Sequence, residues 1–402
     1  MRILLIHNRY RSASPSGEDV AVDNEHRLLT AAGHEVVCYF RDNDDIGASA
    51  AARLGTAASL FWSGRSSREV TALIAAHQPD IAHVHNTTPL ISPSVYFACQ
   101  RAGVPVVQTL HNYRLICPGG LLLRAGRPCE DCVGRVPWRA VRHRCYRDSS
   151  AASALLSSMV YAHRLRRTWQ DDVDCYICLT AFARELFVRG GLPAERLKVR
   201  ANALADPPRP GDGAGGYALF VGRLGPEKGV ATLLRAWESL SLPLKIVGDG
   251  PLLAELQAQA RARAPAASFL GLQPRSAVLE LMQHATLLVI PSECYEGFPV
   301  TCLEAMACGT PMVVSRLGSL DAILEEPGQC LKFPPGDALA LRESVFSLLA
   351  RPDLRRQMAA RTRAVFEARY APARALDSLL AIYRRCLTSQ QPARQRPAAG
   401  AG

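Results

Sequence analysis

Long apolar runs are missing from this sequence. No stretch approaches the roughly 18–20 apolar residues that a membrane-spanning helix needs, and the most apolar windows, such as 286–290, have the length of a strand. Met1-Arg2 is followed only by Ile3 to Ile6 before His7-Asn8-Arg9. That is too short an apolar region for a secretory signal, and no small-residue cleavage site follows it. The expectation is a cytoplasmic protein. Low-complexity sequence is absent until 389–402, a stretch rich in Pro, Ala, Gln and Gly that reads as a disordered tail. No short internal repeat occurs. A disulfide framework is also excluded in the absence of an export signal, despite thirteen cysteines. Most of them, such as Cys38, Cys99, Cys178 and Cys302, sit in apolar periodic segments and read as small core residues.

What is present is a chain of 402 residues, 48% apolar and 21% charged. Those fractions suit a globular protein, and the length suits two domains of about 150–200 residues. The net charge of +11 is carried largely by arginine. Arg135, Arg139, Arg142, Arg144, Arg147, Arg164, Arg166 and Arg167 meet a single acid, Asp148, in their segment. Such a run is either a solvated face or a contact for lipid headgroups or a diphosphate-linked acceptor. The aromatic interleaving of a nucleic-acid surface is lacking, so no nucleic-acid partner is expected.

Strand and helix patterns alternate throughout. The strands of the first half read as 2–7, 35–40, 80–85, 104–111, 175–180 and 197–202, with helices at 19–32, 93–101 and 183–189. They are apolar along their whole length, as in a parallel sheet covered on both faces. Residues 206–216, rich in proline and glycine and without periodicity, read as a linker. The alternation then restarts, with strands at 218–221, 244–247, 268–270, 287–290 and 312–315. The predicted architecture is α/β: two Rossmann-like, doubly wound parallel-sheet domains, 1–205 and 217–370, facing across a cleft. A final helix over 371–388 returns to the first domain. Ligands of such sheets bind beyond the carboxyl ends of the strands.

Two segments carry chemistry. Gly222-Arg223-Leu224-Gly225-Pro226-Glu227-Lys228-Gly229 follows a strand and precedes a helix. Its glycines let backbone approach a ligand, and Arg223 and Lys228 bring two cations to the same strand end. A diphosphate leaving group needs them, because its charge grows as its bond breaks. The second segment is Glu296-Gly297-Phe298-Pro299-Val300-Thr301-Cys302-Leu303-Glu304, continuing to Gly309. Pro299 suits the first helical position, leaving amides near Val300 and Thr301 for a phosphate. The two carboxylates flanking those amides suit sugar hydroxyls.

The Glu-x7-Glu segment resembles the signature of retaining, GT-B-fold glycosyltransferases of family 4 (group 1). Gly222–Gly229 resembles that family's phosphate loop, and Val247-Gly248-Asp249-Gly250-Pro251 its strand-end Gly-x-Gly-Pro. The resemblance covers nearly the whole chain. It implies that Arg223 and Lys228 hold the donor diphosphate. Glu296 would contact the transferred sugar above the Gly297, Phe298, Pro299 and Val300 backbone, and Glu304 would bind the ribose. His111 matches a family histidine facing the donor sugar from the N-terminal domain. Gly17 and Glu18 match the glycine loop after the first strand, with Ser16 where the family has its first glycine. Asn202–Asp206 is a degraded Pro-Asn-Gly-x-Asp turn, to which no catalytic role is assigned.

The expected reaction is retaining transfer from a UDP- or GDP-sugar to an acceptor glycan or lipid-linked sugar, in bacterial surface-polysaccharide synthesis. It requires no catalytic metal and no evident protein nucleophile, and relies on positioning and electrostatics. The implied setting is the cytoplasm, with peripheral contact at the inner face of the membrane. Rival readings are a sugar-nucleotide epimerase or phosphorylase on the same fold, and a non-catalytic binding protein using a basic zinc loop. That last feature is the loop 113–150, where Cys117-x11-Cys129-x2-Cys132-x12-Cys145 has spacing suited to structural zinc. Redox activity and core thiols are the alternatives, and Gly119, Gly120, Gly126 and Pro128 argue against regular structure there.

Overall fold

The computed structural model describes residues 1–12, 16–47, 49–325 and 327–390. The chain divides into two compact units. The first takes in 1–120, 131–201 and 373–402; the second 121–130 and 202–372. Of the tail expected over 389–402, residues 389–390 belong to the last helix, and 391–402 lie outside the described residues, as do 13–15.

The first unit contains β1 (Arg2–Arg9), α1 (Gly17–Ala31), β2 (Glu35–Asp42), α2 (Ala50–Phe61), α3 (Gly64–His77), β3 (Ile81–Val84), α4 (Ser94–Arg101) and β4 (Val106–Leu110). After a short hairpin, β5 (Leu123–Arg124) and β6 (Arg127–Pro128), come α5 (Trp138–Arg142), α6 (Ser150–Leu165), α7 (Thr168–Asp171), β7 (Cys175–Cys178), α8 (Ala181–Arg189) and β8 (Leu197–Val199). The sheet order is β2-β1-β3-β4-β7-β8, and every pairing is parallel. Both faces of β1 are buried, from Ile3 to Asn8 without interruption, and its buried residues from Ile3 to Ile6 are apolar. The hairpin belongs to the second unit, where Tyr295 donates to Glu130 at 3.1 Å. It turns through Ala125 and Gly126, both at positive φ (49° and 71°), as a tight two-residue hairpin turn requires. The loop 113–150 is therefore more regular than its glycines suggest.

The second unit runs β9 (Ala218–Val221), α9 (Val230–Trp237), β10 (Leu244–Val247), α10 (Leu253–Arg263), β11 (Ala267–Gly271), α11 (Arg275–His284), β12 (Leu287–Ile290), α12 (Val300–Cys308), β13 (Met312–Ser315), α13 (Gly318–Ile323), β14 (Cys330–Phe333), α14 (Ala338–Leu349) and α15 (Pro352–Val365). Its parallel order, β11-β10-β9-β12-β13-β14, reverses direction between β9 and β12. The core on one face is built from Phe220, Leu233, Trp237, Ile246, Val289 and Val313. Residues 206–216 carry no helix or strand. The N–H groups of Gly211, Gly213 and Gly215 donate to the carbonyls of Cys308, Gln283 and His284. The last helix, α16 (Pro372–Gln390), packs Leu379, Leu380 and Tyr383 against Ile3, Ile81, Val107 and Ile177 of the first unit. It runs two residues beyond the expected end. No helix among the described residues is long and apolar enough to cross a membrane.

Candidate active site

The strand-end segments singled out in the second unit meet at its topological switch point. Between β9 and β12 the connections leave in opposite directions, so the loops after both strands flank an open crevice. Gly222–Gly229 follows β9, and 291–299 follows β12. Two glycines make this packing feasible. Gly248 has φ 137° and a Cβ there would sit 1.9 Å from the Gly222 carbonyl oxygen; at Gly229 (φ 66°) it would sit 1.9 Å from that of Pro291.

Lys228 and Glu296 face one another here. Lys228 Nζ lies 2.7 Å from Glu296 Oε1, and the Ser292 hydroxyl donates to the same oxygen at 2.6 Å. Burial works against the ammonium, but Glu296 outweighs it, and the Lys228 pKa is raised. Arg223 is largely exposed, its guanidinium 3.7 Å from buried Glu227. Pro299 is the N-cap of α12 rather than its first residue, and no side chain caps this helix. The amides of Val300 and Thr301 are therefore available to an anion, whereas that of Cys302 donates to the Pro299 carbonyl at 3.1 Å. Asn202 donates to the Phe298 carbonyl at 2.8 Å and so fixes the Gly297–Val300 backbone. Further along the helix, Glu304 is buried, and burial pushes its pKa up to about 7 despite Arg275, whose Nη2 is 3.1 Å from Oε1. Sequence reasoning did not find Ser292, Arg275 or the holding role of Asn202.

In the first unit, Gly17 is exposed at the start of α1, and Ser16 caps that helix with Asp19 in a reciprocal capping box. Glu18, in the first turn of α1 rather than in a loop, accepts from Asn112 Nδ2 at 2.8 Å, beside the residue that follows His111. Burial raises the Glu18 pKa. His111 sits just past β4 and hydrogen-bonds through Nε2 to His85 Nδ1 at 2.8 Å. Burial, then the neighbouring His85 and His7, hold its pKa well below the usual histidine value. Behind it lies a buried group that sequence reasoning missed: Glu25, His83, His85, Arg200 and Tyr383. The signal was a pair of histidines at strand spacing, His83-x-His85, in an otherwise apolar run. Of the cysteines in the 113–150 loop, Cys117 and Cys132 are buried, while Cys129 and Cys145 are half-buried. A Cβ on Gly119 would lie 3.0 Å from the Cys145 carbonyl oxygen, so the two ends of that loop fold back together.

Comparison with known proteins identifies the family. The model described as "Glycosyl transferases group 1" matches residues 210–365, and the model described as "Glycosyltransferase Family 4" matches 16–204. The chain is 26% identical over 344 residues to an alpha-D-kanosaminyltransferase of Streptomyces kanamyceticus, covering 81% of each. It is 30% identical over 248 residues to a GDP-mannose-dependent phosphatidylinositol dimannoside mannosyltransferase of Mycobacterium tuberculosis, covering 55% of this chain and 62% of the relative. Among solved structures, Anabaena HepE in complex with UDP and glucose superposes with a TM-score of 0.68 at 17% identity, covering 96% of this chain and 100% of that one. Sucrose-phosphate synthase from Thermosynechococcus elongatus gives 0.70 at 17% identity, covering 97% and 100%.

Proposed function

Because the chain belongs to the group 1 glycosyltransferases of family 4, we propose that it transfers a sugar, with retention, from a UDP- or GDP-sugar to an acceptor hydroxyl in surface-polysaccharide synthesis. The observation that carries this reading is the Lys228–Glu296 pair at 2.7 Å beside the uncapped start of α12. A diphosphate entering there draws Lys228 and Arg223 to its oxygens and meets the helix amides. Glu296 is then released from the ammonium and can accept hydrogen bonds from sugar hydroxyls. Glu304, near neutral in its pKa, serves the ribose hydroxyls as the resemblance implies. As the sugar–phosphate bond breaks, the cations and amides stabilise the growing negative charge. The acceptor hydroxyl attacks from the same face and passes its proton to the departing phosphate oxygen. No catalytic metal enters this scheme.

Calorimetric titration of the pure protein with UDP and with GDP tests the reading and names the donor class. Saturable binding of one nucleotide, lost in Arg223→Ala, is the expected result. Failure of a folded protein to bind either would overturn it and favour the non-catalytic alternative.

The acceptor in this reading is lipid-linked and met at the cytoplasmic face of an anionic membrane. Supporting this are Val136, Trp138 (54% exposed) and Leu165 (67% exposed), set among exposed Arg135, Arg142, Arg144, Arg147 and Arg166. Arg164 donates to the Arg135 carbonyl at 2.8 Å, which joins the α5 and α6 parts of that surface. Apolar tips among cations suit a headgroup layer. The protein should float with vesicles containing phosphatidylglycerol and not with phosphatidylcholine alone, and Trp138→Ala should weaken the association. Equal indifference to both vesicles at low salt would point to a soluble acceptor.

The loop cysteines Cys117, Cys129, Cys132 and Cys145 we assign to one structural zinc, on their spacing and partial burial. Elemental analysis of protein freed of affinity-tag histidines should give one zinc per chain; a value near zero sinks the assignment.

A further inference from the structure

The polar group buried under His111 is unusual for the middle of a parallel sheet. Glu25 projects from α1 and is almost fully buried. Arg200 Nη1 donates to its Oε2 at 2.7 Å. Its Oε1 lies 2.7 Å from His83 Nδ1 and 3.1 Å from His85 Nε2. Tyr383 Oη is 2.7 Å from His83 Nδ1, and Thr109 Oγ1 is 2.8 Å from His83 Nε2. His7, also buried, is held by Asp19 at 2.8 Å. Glu25, His83 and His85 bring ligand-type atoms within 4.8 Å of one another. A cation among them would face the Arg200 guanidinium, and both His83 nitrogens are already engaged by neighbours. The group reads instead as a hydrogen-bonded assembly.

Its protons can be placed. Burial opposes the Glu25 charge, but His83, Arg200 and His85 outweigh it, so the carboxyl is ionised and only accepts. The contact from His85 Nε2 is not in line for an ideal hydrogen bond. Even so, the nitrogen is buried with no other partner. A lone pair turned toward a carboxylate oxygen would be repelled, so Nε2 carries the hydrogen. Burial, reinforced by His83, holds His85 neutral with its pKa lowered to about 3. Its Nδ1 is then bare and can only accept, and the atom facing it is His111 Nε2.

We propose that Glu25 and His85 are positioning residues that fix His111 as its Nε2–H tautomer, leaving the Nδ1 lone pair open at the surface of the first unit to accept from a hydroxyl group. Among the described residues no group pairs with that Nδ1, and it is not among the buried unpaired atoms. A neutral acceptor at this point suits a sugar hydroxyl and not a phosphate. The logic matches that of a carboxylate orienting a catalytic imidazole, transmitted here through a second ring. The part of the proposal that concerns turnover rests on the transferase reading of His111; the tautomer does not.

The test is a long-range proton–nitrogen spectrum of full-length protein labelled with nitrogen-15 in histidine, with His111 assigned from His111→Gln. At pH 7 the expected signals are those of a neutral ring protonated on Nε2. In Glu25→Gln the amide can offer its NH2 group to His85, and the His111 tautomer should shift toward Nδ1–H. In His85→Leu, which spares the Glu25–Arg200 pair, His111 should show a mixture, and kcat should fall about 10- to 100-fold with a smaller change in donor KM. A wild-type His111 that is charged or protonated on Nδ1, or a tautomer unchanged in a folded His85→Leu protein, would overturn the proposal. If the tautomer behaves as expected while His111→Gln transfers sugar at the wild-type rate, the role of His111 in transfer falls and the hydrogen-bond chain stands.

Discussion

Lys228→Ala should lose about 10²–10³ in kcat/KM, together with saturable nucleotide diphosphate binding. Two effects act in the same direction. The variant removes a half-buried cation whose raised pKa keeps it charged at any working pH. It also deprives the Glu296 carboxylate of the cation 2.7 Å away, while the Ser292 hydroxyl still donates to it. A carboxylate so released repels the incoming phosphates. Lys228→Arg keeps the charge but replaces a point-like donor with a planar fork, in a position set by the close approach of Gly229 to Pro291. It should recover only part of the loss. Glu296→Gln separates the two halves of the site: nucleotide binding should persist while transfer is lost. Steady-state kinetics and calorimetry on the three variants check the set. A Lys228→Ala enzyme within threefold of wild type would remove Lys228 from the diphosphate site.

The second unit was legible because its chemistry is local in sequence. The phosphate loop is one strand end, and Glu296 to Glu304 is one loop and one helix. Glycine and proline placement announces both, since the required backbone shapes admit few other residues. The sheet order was not legible from the alternation, yet it is the order that sets β9 beside β12 and so joins the two motifs. Contacts between distant segments stayed hidden for the same reason. Nothing near Asn202 reveals that it holds the Phe298 carbonyl, and nothing near Arg275 reveals Glu304. The Glu25 assembly is the extreme case. Its members come from α1, β3 and the residue after it, the residue after β8, and α16, and no one of them carries a motif. Polar residues alone in apolar segments were its only trace, and burial supplies the reason: a charge can be retained there only if the fold brings it a partner.

That dependence gives the second large effect. Arg200→Met should lower stability by about 3–5 kcal/mol, the cost of stranding a buried charge, and the melting temperature by about 6–20 °C. Arg200 is buried, with Nη1 on Glu25 at 2.7 Å and Nε on the Ala375 carbonyl at 3.3 Å, so it ties α1 to the start of α16. Methionine fills the space but leaves the ionised Glu25 without the guanidinium that donates to its Oε2. Glu25→Gln added to Arg200→Met should restore part of the loss, because the amide carries no charge to strand. The pH dependence has a definite sign. The folded Glu25 pKa lies below its ordinary 4.5, so the stability it contributes is present above that value and lost as pH falls through the folded one. In Arg200→Met the carboxyl protonates more readily. The gap between wild type and variant is therefore widest near neutrality and narrows below about pH 4.5. Thermal melts from pH 7 to pH 4 measure it. A gap under 2 °C at neutral pH, or one that widens on acidification, would mean that the guanidinium is not what keeps this carboxylate charged, and the acceptor-only role given to Glu25 would lose its basis.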